Sequence, residues 1–385
     1  MANALVIGDS IRSPELRHEV PVAIGDPFLY AEVDGRRLVA VTSFETTRIE
    51  GLGTDLEVHP LERFDYEALL TRGLRPDEFW QELWLDVCRT FGVREAVVPL
   101  SFPAGHADRL RAAGIELTVD QRHFDERRRV KNATELEGIR RACRAVEAGM
   151  RTGLDLLRRA DRVNGQLVLD GEPLTCERVK LAVEQAFGEH GAAAEEFTVS
   201  HGAQTAVGHD GGSGAIAADD VVLFDLYPRD RETGCYSDFT RTVVLGPAPD
   251  ELREFHELSK RALDLATGLV RPGAIGKVIH AAVCEFFHEH GHPTQLHKPE
   301  GAVLRDGFYH STGHGVGLEV HEEPGLGRLG DDPLVVGDVV AVEPGLYRHG
   351  YGGVRLEDLL LVTEDGCEVL TDFPYELELD DLEPR

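Results

Sequence analysis

The stretch 219-DDVVLFDLYPRD-230 sets a carboxylate, Asp225, inside a near-continuous apolar run. Runs of this kind are expected of strands covered on both faces. A second stretch, 337-GDVVAVEPGLYR-348, repeats the pattern D-V-V-x-x-acid and puts Glu343 in the matching place. Each run is followed by another strand that bears an acid. The segment 236-YSDFTRTVVL-245 holds Asp238, and 351-YGGVRLEDLLLV-362 holds Glu357. Asp225 and Asp238 are 13 residues apart, Glu343 and Glu357 are 14, so the echo spans strand, connection and return strand.

A carboxylate in such a strand carries a large desolvation cost unless it is paired or bound to metal. Four that converge repel one another, and the neighbouring Arg241 and Arg355 offset only part of that charge. Two divalent cations would balance the four acids. Between the two acid pairs lies 311-STGHGVGLEVHE-322, whose His314 supplies a neutral fifth ligand. Oxygen-rich donors with one imidazole favour manganese, cobalt or iron-like ions over a thiolate-type zinc centre, and leave zinc open. The plainer reading is a pair of edge hairpins with solvated acids. It suits any one of these acids, but not four in duplicated context beside a histidine. Arg241 in "DFTRT" and Arg355 in "GVRLED" are read as salt-bridge partners that orient the ligand carboxylates.

The 385 residues leave room for two domains, and a formal charge of −29 disfavours nucleic acid, whose binding needs basic residues against phosphate. The six cysteines are scattered without a C-x-x-C pair, which removes zinc-ribbon and thioredoxin-like readings and fits a reduced compartment. The opening MANALVIGDSIRSPEL has no basic leader before a long apolar run, so no signal peptide is expected. No stretch of about 18 apolar residues argues for a membrane span. The expectation is a cytoplasmic protein.

Residues 1–127 read as a small α/β domain. "VPVAIGDPFLYAEVDGRRLVAVTSF" predicts strand, turn, strand, with Asp34-Gly35 at the turn. "DEFWQELWLDVCRTFG" predicts a helix ended by Gly92, and "REAVVPL" and "IELTVD" are short strands around the helix "GHADRLRAAG". No motif there carries chemistry, so the domain is read as structural or interface-forming. A basic run, "DERRRVKNATELEGIRRACRAVEAGM", marks the boundary to residues 128–385. Its arginines are read as a solvated helix face and linker, with Asn132 or Thr134 capping a helix that opens at Glu135. "DRVNGQLVLDGEPLTCERVK" predicts a hairpin with Asn164-Gly165 as its turn, followed by a helix from Cys176 to His190.

In "YSDFTRT", "GHGVGLEVHE", "VEPGLY" and "GVRLEDLLLV" the chain resembles the pita-bread metallopeptidases: methionine aminopeptidase, aminopeptidase P and prolidase. The resemblance covers residues from about 131 to 385. It implies an α+β pita-bread catalytic domain with a pseudo-twofold β-sheet. The added N-terminal α/β domain is similar to that of the proline-specific and creatinase branch. The family's ligand order Asp, Asp, His, Glu, Glu falls on Asp225, Asp238, His314, Glu343 and Glu357. By that pattern Asp238 and Glu357 bridge two divalent ions, with manganese favoured and cobalt or zinc allowed. His209 in "AVGHD" and His321 match the family's two non-ligand active-site histidines, and His310 a further one of the proline-specific branch. His201 is read as a loop histidine. Arg328 in "GLGRLGDDP" lies near where dipeptidases place an arginine for the substrate's C-terminal carboxylate. The connection from Asp225 to Asp238, with "PRDRE", is longer than the family's common form.

The activity so implied is metal-dependent hydrolysis of Xaa-Pro bonds in small proline-containing peptides, as an aminopeptidase or a dipeptidase, by a homodimer. Glu343 would shuttle the proton, His321 and His209 would donate to the developing oxyanion, and His310 would orient one of them. Two other readings use the same fold: a creatinase-like hydrolase without metal, and a non-catalytic peptide-binding module. Both usually have lost the ligands that are intact here.

Overall fold

The computed structural model describes residues 3–381; the outer ends of the two expected domains, 1–2 and 382–385, lie outside the described residues. The chain divides into two compact units. One is Met1–Arg128 with Glu232–Gly234, and the other is Arg129–Arg231 with Cys235–Arg385. The three-residue segment falls within the long connection between Asp225 and Asp238, and a reading of contiguous domains does not foresee its grouping.

The first unit is built on a six-stranded mixed sheet. Its central hairpin joins Phe28–Val33 to Arg36–Val41. Asp34 and Gly35 both take positive φ, 52° and 79°, as a two-residue turn that follows the strands' twist requires. Residues 20–27, expected as strand, lie outside it; the strand starts at Phe28. Helix Pro76–Phe91 packs Leu83, Trp84 and Val87 onto the sheet and stops at Gly92 in the left-handed region.

In the second unit Asn132 accepts from the Glu135 amide, and the Glu135 side chain accepts from the Asn132 amide. This reciprocal cap opens helix Ala133–Arg159 two residues earlier than the sequence suggests. That helix and Cys176–Glu189 cover a three-stranded antiparallel sheet of Thr198–His201, Val221–Leu226 and Phe239–Val244. Helices Asp250–Leu269 and Gly276–Glu289 cover the second antiparallel sheet in the same manner. It contains Gly313–Gly315, Glu322–Leu326, Val339–Val342, Asp358–Val362 and Cys367–Val369. Each half thus lays two helices on one sheet, which is the pita-bread arrangement. The predicted hairpin after Ala160 gains a third strand, Glu172–Pro173, through a second turn at Asp170-Gly171.

The echoed hairpins differ in register. Asp225 faces Thr240 in the first pair, whereas Val342 faces Asp358 in the second, which brings Glu343 level with Glu357. With Asp238 matched to Glu357, the offset between the two registers is two residues. An even offset keeps every side chain on its own face. The amide of Glu357 donates to the Thr240 carbonyl (3.1 Å), and Thr242 exchanges hydrogen bonds with the Arg355 backbone (3.0 and 3.1 Å). These bonds join the halves along the line where the acids sit.

The basic boundary run is not a solvated face throughout. Arg129 is buried on Asp338 (2.7 Å), and Lys131 is buried on Glu322. The partners lie some two hundred residues away, so helical periodicity gives no sign of them.

Candidate functional site

His314 sits on a three-residue strand, Gly313–Gly315, opposite Ala341. A Cβ at Gly313 would lie 1.9 Å from the Ala341 carbonyl oxygen, and one at Gly315 would lie 2.6 Å from that of Glu323. Glycine on both sides is what lets three backbones approach here. His314 Nδ1 lies 3.1 Å from the Gly315 carbonyl, an acceptor, so this nitrogen carries the hydrogen. The Nε2 lone pair is left facing Asp238 Oδ2 at 3.6 Å and Glu343 Oε1 at 3.9 Å. A lone pair opposed to two carboxylates is unfavourable unless a cation or an acid proton lies among them.

Asp225, Asp238 and Glu357 each present an oxygen within 4.8 Å of the others, and Asp238, His314 and His321 form a second group within the same limit. Burial pushes the carboxyls of Asp238 and Glu357 well above the usual range, and the neighbouring carboxylates push them further. Burial raises Glu343 to about 7 against the pull of Arg355. Burial also holds His314 neutral, lowering it to about 3. Among the described residues Arg355 is the cation that reaches this group: it pairs with Asp225 and donates to Thr240 Oγ1 (3.2 Å), which in turn donates to Glu357 (2.6 Å). One guanidinium against four acids leaves an excess that divalent ions fit, with a neutral imidazole as the further donor.

Arg241 departs from its expected role. Its ion pair is with Asp358 (2.9 Å) rather than with any of the four acids, and it reaches Glu357 only at the backbone carbonyl (2.7 Å). Stacked between Phe239 and Tyr375, it braces the strand junction.

His209, His310, His321 and Arg328 all line one cleft of about 1770 Å³ with the four acids and the histidine of the centre. His310 differs from the other two histidines. Its Nδ1 donates to the Ser311 carbonyl (2.8 Å), and its Nε2 then accepts from Tyr347 Oη (2.9 Å). Both nitrogens are engaged by protein groups, and Nδ1 also lies 3.7 Å from Glu343 Oε2, which sets His310 among the supports of the centre. Burial lowers His321 below the usual imidazole value and so keeps it neutral. Arg328 is exposed at the rim beside Leu329. His201 ends its strand and bonds to Asp220 at 2.6 Å.

Two participants escaped the sequence reading. Tyr347, fully buried, links His310 to Arg355, which donates to its hydroxyl at 3.2 Å. Thr240 couples Arg355 to Glu357. The signal for Thr240 is its spacing alone: it is a polar residue two places after Asp238, and the echo has Leu359 in its place.

Residues 137–364, more than half of the chain, match the family described as "Metallopeptidase family M24". The chain belongs to this family. Its M24 membership agrees with the donor set, and both point to divalent metal ions. A Pyrococcus furiosus protein named "Xaa-Pro dipeptidase" is 30% identical over 251 residues, 64% of this chain and 64% of that protein. The chain therefore spans just under two thirds of this relative. A Mycobacterium tuberculosis protein named "Probable dipeptidase PepE" is 30% identical over 310 residues, 76% of this chain and 75% of that one. In fold, the chain is similar to the X-Pro aminopeptidase from Thermotoga maritima, with TM-score 0.76 and 22% identity over 98% of this chain and 97% of that one.

Proposed function

We propose that this M24 chain is a dinuclear metal-dependent peptidase that hydrolyses Xaa-Pro bonds in short peptides. The observation that carries the reading is the convergence of Asp225, Asp238, His314, Glu343 and Glu357 on one cleft with, among the described residues, a single neighbouring guanidinium. The names of the two relatives, a Xaa-Pro dipeptidase and a probable dipeptidase, support the substrate class. Asp238 and Glu357 would bridge two ions, Asp225 would bind one, and His314 with Glu343 would complete the other; manganese suits this oxygen-rich set, with cobalt or zinc as alternatives. The ions would offset the carboxylate charge, polarise the scissile carbonyl and acidify the attacking water.

The protein's own groups do the rest. Glu343, set in the cleft beside His314 and His310, takes a proton from the attacking water and returns it to the prolyl nitrogen. His321 and His209 offer ring N–H groups to the carbonyl oxygen as it gains charge, donors worth about 3–4 kcal/mol in such positions. Arg355 fixes Asp225 directly and Glu357 through Thr240, and His310 fixes Tyr347 against the same guanidinium. Arg328 at the rim grips the C-terminal carboxylate of a dipeptide. The N-terminal domain, residues 1–127, is structural or forms the interface of a cytoplasmic homodimer.

Hydrolysis of Ala-Pro and of a longer Xaa-Pro-peptide, each with manganese and with EDTA, tests the reading. Cleavage that needs the metal supports it, and the ratio of the two substrates separates dipeptidase from aminopeptidase. Metal-free protein with no metal-dependent cleavage overturns it in favour of the creatinase-like or peptide-binding readings.

A further inference from the structure

His201 lies outside the metal centre, and the proposed reaction leaves it unused. Its ring is held between two oxygens that only accept. Nδ1 is 2.6 Å from Asp220 Oδ2, and Nε2 is 3.2 Å from the Ser213 carbonyl. A neutral imidazole has one N–H and one lone pair, so it satisfies one of these contacts and opposes the other. Only the doubly protonated ring satisfies both.

Ser213 lies near the end of a glycine-rich loop, 207–214, that carries His209 into the cleft. The loop is pressed close against strand Thr198–His201. Gly211 accepts from the Val199 amide (3.2 Å), and a Cβ at Gly212 would lie 1.9 Å from the Val199 carbonyl oxygen. Gln204 holds the Ser213 amide and carbonyl (3.2 and 3.0 Å). Helix Cys176–Glu189 adds Lys180 on the Gly212 carbonyl (3.0 Å) and Glu177 on the Gly214 amide (3.1 Å).

We propose that His201, as an imidazolium bridging Asp220 and the Ser213 carbonyl, is a positioning residue that clamps loop 207–214 and so sets His209 in the cleft. The charged groups around it agree. Asp220 on the adjoining strand end and Glu177 on the helix favour the cation, and Lys180 is engaged with the Gly212 carbonyl. The hydrogen bond to Asp220 raises the ring's pKa above the usual imidazole value, against the opposing effect of burial. The role of His209 rests on the proposed peptidase activity, but the clamp does not.

The test therefore begins without a substrate. In the full-length protein, nitrogen-15 NMR of the histidine rings reads His201 directly, and hydrogen–deuterium exchange reads the amides of 207–214. Both nitrogens of His201 should be protonated near neutral pH. Loop protection, corrected for intrinsic exchange, should fall as pH rises through the His201 midpoint. In His201→Gln the loop should exchange about tenfold faster near neutrality, with no such pH step. Asp220→Asn should move the step to lower pH, which a purely structural contact would not do. A wild-type ring with one protonated nitrogen near neutrality, or a His201→Gln loop as protected as wild type, overturns the clamp. Where peptide hydrolysis is measurable, the alkaline limb of kcat should move with the same step in Asp220→Asn. Absence of hydrolysis in the wild-type protein would defeat the peptidase reading alone and leave the exchange result standing.

Discussion

Asp238 and Glu343 face the same cavity with different duties. Asp238 is bound at one oxygen by the Phe239 amide (3.0 Å), which fixes its direction; Glu343 has the carboxyl raised to about 7. Removing either charge should affect catalysis far more than folding, since the acids repel one another in the absence of ions. Asp238→Ala and Glu343→Ala should each lower kcat on Ala-Pro by about 100-fold or more, with the melting temperature of the ion-free protein unchanged or raised. Steady-state kinetics and calorimetry on the two variants check this; near wild-type turnover in either would remove the assigned roles. Arg328 has a narrower test. If it grips a terminal carboxylate, Arg328→Ala should raise KM for Ala-Pro about tenfold and leave KM for Ala-Pro amide unchanged. Equal KM values for Ala-Pro in variant and wild type would return Arg328 to the surface.

Strand Gly313–Gly315 shows what an element contributes that its length conceals. Three residues make no readable period, and the motif was legible only through its histidine and glycines. Its reason is steric: two neighbouring strands leave no volume for a Cβ at position 313. Gly313→Ala should therefore destabilise the protein by about 1–3 kcal/mol or more by forcing the strands apart. It should also weaken metal binding, because His314 moves with the strand. A thermal melt together with a metal titration checks this, and an unchanged melt would mean that the three strands can part at little cost. Other elements were plain in the sequence because their signals are local. Val221–Leu226 and Val339–Val342 stand out as apolar runs, and the Asn132–Glu135 cap fixes a helix start within four residues. What was not legible depends on partners distant in sequence. Arg129 and Lys131 look like linker charges until Asp338 and Glu322 meet them. Arg241 looks like a support for a ligand carboxylate until Asp358 takes its guanidinium. The two-residue register offset between the hairpins is equally invisible, yet it decides that Glu343, and not Gly345, stands level with Glu357.

At the scale of the molecule, the cluster couples stability to both metal and pH. Without ions, the folded state holds Glu343, Asp238 and Glu357 protonated at pH values where the unfolded chain has released those protons. Stability then falls as pH rises, because the folded state binds more protons than the unfolded one. Neutral buried histidines act in the opposite sense on acidification. His314 and His310, both lowered to about 3, cost stability as pH drops below the ordinary imidazole value of about 6.5. Above that value they are neutral in both states, and among the cleft's groups the raised carboxyls remain. Between about pH 6.5 and pH 8 the ion-free protein should lose stability, with Glu343 alone contributing about 1 kcal/mol and Asp238 and Glu357 adding to it. Bound divalent ions favour the charged carboxylates, so the loaded protein should lose this slope and gain about 2.7 kcal/mol at a free metal concentration near 100 times Kd. The raised pKa of His201 contributes the same alkaline loss with and without ions, and so cancels in the difference. Calorimetry at several pH values, with manganese and after EDTA, measures that difference. It should widen as pH rises; a gap that stays constant or narrows would mean that the acids are not crowded as described, and the electrostatic case for a metal centre would fail with them.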